Sequence, residues 1–354
     1  MKKLLKSLLW LIIVLILAFV FFVGYISIND YSPDSETLVF KNDNQTTSTL
    51  SDSMELSFLS WNLGYCGLNK EMDFFYSGGT KVYPESKVVF KNIQGVKDEI
   101  KKMPKVDFML FQEVDKSSTR SYFTNQADTL CNMFKDYHAD FGTNYLVPYV
   151  PIPIFKPMGA VNSGLLTLGK YVPQQSVRHS YIGNFAWPKS LFMLDRCFLV
   201  NRYNLNNGKY LLIINTHNSA YDDGGLRIAQ MKQIKKFVTK EYDKGNYIIV
   251  GGDWNQCAPD FKPDFDKDIM DNNSRLDISS DLMPKGWTWF YDNKQPTNRR
   301  DSTSYTVGET LTTVIDFFLL SPNVKGLEIH NISNGFKYSD HQPLLAKVQL
   351  KPEN

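Results

Sequence analysis

Five short segments of this chain join a hydrophobic run to a polar cluster: Ser60-Trp61-Asn62, Gln112-Glu113, Asn215-Thr216-His217, Gly252-Asp253-Trp254-Asn255 and Ser339-Asp340-His341. A sixth, Ile315-Asp316, sets an acid ahead of the run Phe317-Phe318-Leu319-Leu320. Short apolar runs of this kind are what strands buried inside a fold look like in sequence. One polar cluster at a strand end is weak evidence of anything. Six together are hard to explain by packing alone.

The periodicity around them decides the fold class. Met54 to Ser60, Val106 to Phe111, Leu165 to Leu168, Cys197 to Tyr203, Tyr210 to Ile214, Tyr247 to Val250, Phe317 to Leu320 and Leu344 to Leu350 read as strands. Val89, Ile93, Val96 and Ile100 recur at helical spacing, as do Ile228, Met231, Ile234 and Val238. Asn206-Asn207-Gly208 is a hairpin-type turn between two of the strands. Strands outnumber helices, which predicts an α/β fold: a two-sheet β-sandwich flanked by helices, not a simple parallel doubly wound sheet.

Ahead of this unit lies a different kind of sequence. Leu8 through Ile28 is apolar apart from Gly24 and Ser27, and Lys2, Lys3 and Lys6 precede or border it. That length matches a bilayer span of about twenty residues. No small-x-small cleavage site follows, so an uncleaved anchor is favoured and a long signal peptide is the alternative. The lysines predict a cytoplasmic N-terminus with the rest of the chain on the far side. No Cys follows the run, so lipid attachment is not indicated.

Three segments are therefore expected: a transmembrane anchor at 1–29, a flexible polar stalk at 30–51 and one catalytic-size domain at 52–354. The four cysteines, Cys66, Cys131, Cys197 and Cys257, are scattered with no zinc-ligand spacing, and are expected to be buried thiols. Across 354 residues, 39 Lys and Arg face 37 Asp and Glu. Setting aside the three N-terminal lysines leaves the remainder near neutral. A global positive field for nucleic acid is thus excluded, though a local basic groove is not.

The residue types in the clusters suit phosphoester cleavage, which needs a cation against the phosphoryl charge, an activated water and help for the leaving oxygen. Glu113, closing an apolar run, is the best candidate ligand for magnesium, an ion that prefers oxygen. Asn62 offers an amide oxygen to the same ion. Asp253 and Asn255, two apart, share a face if extended and can align a water and a phosphoryl oxygen. His341 can handle a proton, and Asp316 is a plausible partner because an unpaired acid in an apolar strand is costly.

The motif set Ser60-Trp61-Asn62, Phe111-Gln112-Glu113-Val114, Asn162-Ser163-Gly164-Leu165, Asn215-Thr216-His217, Gly252-Asp253-Trp254-Asn255, Ile315-Asp316-Phe317 and Ser339-Asp340-His341-Gln342-Pro343 resembles the endonuclease/exonuclease/phosphatase superfamily over about residues 54 to 350. The resemblance implies a metal-dependent hydrolase with its site at the sheet rims. It implies Asn62 and Glu113 as ligands of magnesium, or manganese, with Asp340 near that ion or a second one. It implies Asp253 and Asn255 as positioners of water and phosphate, His341 paired with Asp316 for proton transfer or phosphate stabilisation, and His217 on phosphate or leaving group. Asn162 resembles the family's mid-chain phosphate-contacting Asn, although Ser163 separates it from Gly164. Trp254 stands where Phe is more usual.

Substrate is less legible. Tyr145 to Pro157 is apolar and Pro-rich, fitting either a lipid-touching loop or buried packing. Trp287-Thr288-Trp289-Phe290 reads as core, whereas Arg299 and Arg300, if exposed, would offer phosphate contacts. Arg120 and Arg196 read as isolated residues suited to surface ion pairs. The expectation is a membrane-anchored phosphodiesterase, with a phospholipid headgroup favoured over nucleic acid. An extracytoplasmic nuclease is the alternative, marked by strongly salt-dependent binding, and a non-catalytic anchored binding protein is the third reading.

Overall fold

The apolar runs that end in polar clusters form the inner strands of two sheets. The computed structural model describes residues 1–43, 49–220, 222, 224–265 and 277–352. Its strands are β1 (Glu36–Lys41), β2 (Glu55–Asn62), β3 (Phe108–Asp115), β4 (His138–Val150), β5 (Gly159–Gly169), β6 (Gln175–Ser180), β7 (Cys197–Asn204), β8 (Tyr210–His217), β9 (Tyr247–Asp253), β10 (Thr288–Phe290), β11 (Asn298–Arg299), β12 (Thr312–Thr313), β13 (Asp316–Leu320), β14 (Val324–Asn331) and β15 (Leu344–Leu350). The helices are α1 (Lys2–Ile28), α2 (Ser86–Lys102), α3 (Gln126–Met133) and α4 (Gly225–Tyr242).

One sheet runs β1-β6-β7-β8-β9-β13-β10 and the other β14-β15-β2-β3-β5-β4, with β11-β12 as a separate ribbon. The sheets pack face to face through Phe58, Phe108, Leu110, Leu211, Ile213, Ile249 and Phe318. Alternate residues of the same strands, Leu212, Ile214, Ile248 and Val250, face the other way onto Met231, Ile234 and Val238 of α4. Val96 and Ile100 of α2 and Leu130 of α3 cover the outer face of the second sheet. Both faces of each inner strand are buried, which is why their sequence is continuously apolar. The fold is the expected two-sheet sandwich between helices.

Two parallel pairs set the position of the site. β2 pairs with β3, and β8 with β9, each through a helical crossover. Asn62, Glu113, His217 and Asp253 therefore lie at the same end of their strands, and antiparallel β13 begins there with Asp316 opposite Asp253. Between the sheets, Gln112 Nε2 donates to Asn215 Oδ1 at 2.8 Å, while Asn215 Nδ2 reaches the carbonyls of Phe111 and Leu166. These two motif residues hold the sheets together instead of meeting a ligand.

Gly252 is the tightest backbone approach along β8–β9. Its φ is +138°, and a Cβ there would lie 2.1 Å from the Thr216 carbonyl oxygen. Gly252→Ala should cost about 2 kcal/mol or more through strain and strand displacement. Denaturant titration checks this; an unchanged midpoint contradicts it.

The segment read as a flexible stalk needs correction. Glu36–Lys41 pairs antiparallel with β6 at the edge of the first sheet, and Leu50 is buried between the sheets. Leu38, Val39 and Phe40 supply β propensity that the surrounding polar residues mask. Residues 44–48 of that segment lie outside the described residues. α1 is 27 residues long, with a mean hydropathy of 3.0 over its most apolar window, enough to cross a membrane by length and composition. None of the four cysteines forms a disulfide among the described residues, and Cys66, Cys197 and Cys257 are buried.

Candidate active site

The rim where these strands end opens into a cavity of about 940 Å³. Its floor carries Glu113, Asp253, Asn255, Asn298, Asp301, Asp340 and His341. Asp253 Oδ2 is the focus: it accepts from Asn62 Nδ2 at 2.9 Å and lies 3.5 Å from His217 Nε2 and 3.7 Å from His341 Nε2. Asp253 Oδ1 accepts the Asn255 amide at 2.9 Å, and Asn255 turns through φ 51° to leave the strand. Burial, with Asp316 adding to it, pushes Asp253 up to about 7, while the facing His341 pulls the other way.

His341 Nδ1 meets Asp316 Oδ2 at 2.7 Å, with both side chains buried. Burial opposes charge on the ring, but Asp316 and Asp253 outweigh it and hold His341 well above the ordinary histidine range. His217, equally buried, is pushed well below that range, first by desolvation and then by Arg196 and His341. The two surroundings thus differ: that of His341 favours the charged ring, and that of His217, behind Glu113 and Asp253, favours the neutral one.

The donor set can be tested for a hard divalent ion. Asp253, Asp316 and His341 bring donor atoms within 4.8 Å of one another, but His341 Nδ1 and Asp316 Oδ2 are already committed to each other. Glu113 and Asp340 fit better. Glu113 adopts φ 52° and is partly open to the cavity, and Asp340 is pushed up to about 7 by burial, with Asp301 and Glu113 adding repulsion. Gly64, at φ +48°, leaves this place clear; a Cβ there would stand 2.7 Å from Asp340 Oδ1. Oxygen-only donors crowded by like charge suit magnesium or manganese. Asn62 is oriented otherwise than expected: its Oδ1 accepts the Gly64 amide at 2.9 Å and its Nδ2 faces Asp253 and Glu113.

Position bears on three sequence expectations. Asn162 is half-buried on β5 with its Oδ1 unpartnered, and by alternation along the strand its neighbour Ser163 lines the cavity. Arg120 is buried, pairing with Asp115 at 2.9 and 3.2 Å and lying 3.9 Å from the Tyr65 ring centre. Arg299 is also buried and donates to the carbonyls of Asn69, Met72 and Thr303, so it clamps loops. The Trp287 segment packs against the first sheet's outer core, as expected.

Sequence reasoning missed Asn144, Ser163 and Asn298. Asn144 Nδ2 and Ser163 Oγ are buried at the cavity without a hydrogen-bond partner. Asn298 Nδ2 lies 3.0 Å from His341 Nε2. Asn144 sits at the irregular step between Thr143 and Tyr145 in β4, which no apolar run announces.

Residues 59–341 match the model of the Endonuclease/Exonuclease/phosphatase family. Among solved structures, the chain is similar to an endonuclease/exonuclease/phosphatase from Beutenbergia cavernae (16% identity, 84% of this chain and 72% of that one, TM-score 0.55). It is also similar to one from Bacteroides vulgatus (16%, 84% and 100%, 0.53) and to ANGEL2, a 2',3'-cyclic phosphatase (14%, 88% and 100%, 0.52). No curated protein matches the chain in sequence. With its sandwich, its rim of acids and histidines and this match over most of its length, the chain belongs to the endonuclease/exonuclease/phosphatase family, whose members hydrolyse phosphoester bonds.

Proposed function

We propose that this chain is a membrane-anchored, magnesium-dependent phosphodiesterase, with residues 1–29 as its anchor and 52–354, joined by β1 at the edge of its first sheet, as its catalytic domain. The observation that carries the reading is the focus of Asn62, His217 and His341 on Asp253 at the cavity floor, with Asp316 fixing the His341 ring. Asp253 and Asn255 hold the attacking water. Its oxygen bonds to phosphorus as the ester P–O bond breaks; the water's proton leaves toward Asp253, the departing alkoxide takes a proton from His341, and His217 contacts the phosphoryl group. Asn144 and Ser163 receive phosphoryl oxygens. Magnesium at Glu113 and Asp340 supplies charge neutralisation when bound. The catalytic domain's near-neutral charge and the apolar α1 favour a phospholipid headgroup as the substrate, placed with the domain on the extracytoplasmic side.

The full-length chain, offered phospholipid vesicles and DNA in parallel, tests this. Headgroup release is expected, lost on chelation, restored by magnesium and absent in His341→Ala. DNA cleavage lost in His341→Ala would put the nuclease reading in its place. Hydrolysis untouched by chelation would remove the metal from the account.

A further inference from the structure

The cavity floor is polar, but its mouth is not, and the mouth is where α1 ends. Val150, Pro151 and Ile152 from the end of β4 line one side, and Pro188, Phe192 and Met193 line the other. Beyond them the tip of the β4–β5 connection projects outward: Ile154 is 83% and Phe155 101% exposed. Across the mouth, Trp187 is 66% exposed. Burying none of three large apolar side chains around one opening is unusual for a surface that meets only water. Lys156 and Lys189 flank the same edges, their ammonium groups over the Tyr83 and Phe185 rings at 4.6 and 3.8 Å.

α1 fixes what faces this opening. Phe22 lies with its ring centre 6.3 Å from both Phe192, against which it stacks, and Tyr149, which meets it edge-on. Phe22 precedes the helix end at Ile28 by six residues, so the contact sits about 9 Å below that end at 1.5 Å per residue. Interfacial protein segments sink about 5–10 Å into the headgroup and acyl boundary. If α1 spans the bilayer, the contact brings Tyr149, Phe192 and the adjoining mouth to that depth.

We infer that the mouth is an acyl-chain port set in the membrane that holds α1. The port admits a lipid phosphoester laterally from that same membrane. Its chains lie along Val150, Ile152 and Phe192, and its phosphorus reaches Asp253 and His341. Ile154, Phe155 and Trp187 seat the rim in the bilayer, and Lys156 and Lys189 lie at headgroup level. α1 is then part of the substrate path as well as a tether. This rests on the lipid-phosphoester reading above and adds to it where the chains go and which side of the cavity faces the membrane.

The experiment uses the full chain reconstituted in vesicles. Ile154→Ser/Phe155→Ser, neither residue in the cavity wall, should lower kcat/KM on long-chain phosphatidylcholine by roughly tenfold. It should leave hydrolysis of soluble bis(p-nitrophenyl) phosphate unchanged. Brominated lipids should quench a component of tryptophan fluorescence that Trp187→Phe removes, with Trp10 of α1 as the constant background. Equal loss on both substrates, or no loss on vesicles, overturns the port. So does a Trp187 component that lipid does not quench, as when a protein partner covers the rim. Quenching as expected, with soluble diester hydrolysed and long-chain lipid untouched, rejects the lipid substrate while leaving the site's chemistry standing.

Discussion

His341→Ala should lower turnover of a phosphodiester by about 10²- to 10⁴-fold, the range expected when a positioned proton-transfer group is removed, without loss of fold. Its ring is held by Asp316 at 2.7 Å and faces Asp253 at 3.7 Å, so it is the group in the cavity whose proton is both fixed and aimed. Asp316→Asn keeps the size of the partner and removes its charge. It should lose much of the same rate, and the double variant should be scarcely worse than His341→Ala alone, because the two act as a unit. Steady-state kinetics on the three variants checks this. Losses that simply multiply in the double variant would show that Asp316 acts independently of the ring.

Arg120→Met should cost about 3–5 kcal/mol, a large share of the about 5–15 kcal/mol by which a domain is typically stable. The guanidinium makes two hydrogen bonds to Asp115 at the end of β3 and lies against Tyr65. Removing it strands a fully buried carboxylate two residues from Glu113. Arg120→Met/Asp115→Leu should recover most of the loss, since an apolar pair of similar volume leaves no charge unsolvated. Denaturant melts of both variants decide it. A single variant as stable as the wild type would mean that Asp115 finds another partner.

How far the sequence carried depended on burial. Strands such as β8 and β9 are apolar along their whole length because the partner sheet covers one face and α4 the other. Their end residues, His217 and Asp253, were legible for the same reason: polarity begins where the run stops. Strand β14 alternates between solvent and core with charged Lys325 and Glu328 outward, and β1 is an edge in a polar stretch, so neither announces itself. The site shows the same divide. Glu113, Asp253, Asp316 and His341 follow or precede apolar runs, whereas Asn144 and Asn298 are set by hairpin and ribbon geometry. The arginines misled because a charge in sequence looks exposed; only the fold reveals that Asp115 and three loop carbonyls surround Arg120 and Arg299.

The central claim is that water held over Asp253 attacks phosphorus in this cavity. Hydrolysis of a phosphodiester in ¹⁸O-enriched water, read by mass spectrometry of both products, tests it most directly. The account predicts one ¹⁸O atom in the phosphate product and none in the alcohol, with the signal lost in His341→Ala. Label in the alcohol, or no label in the phosphate despite turnover, would contradict it.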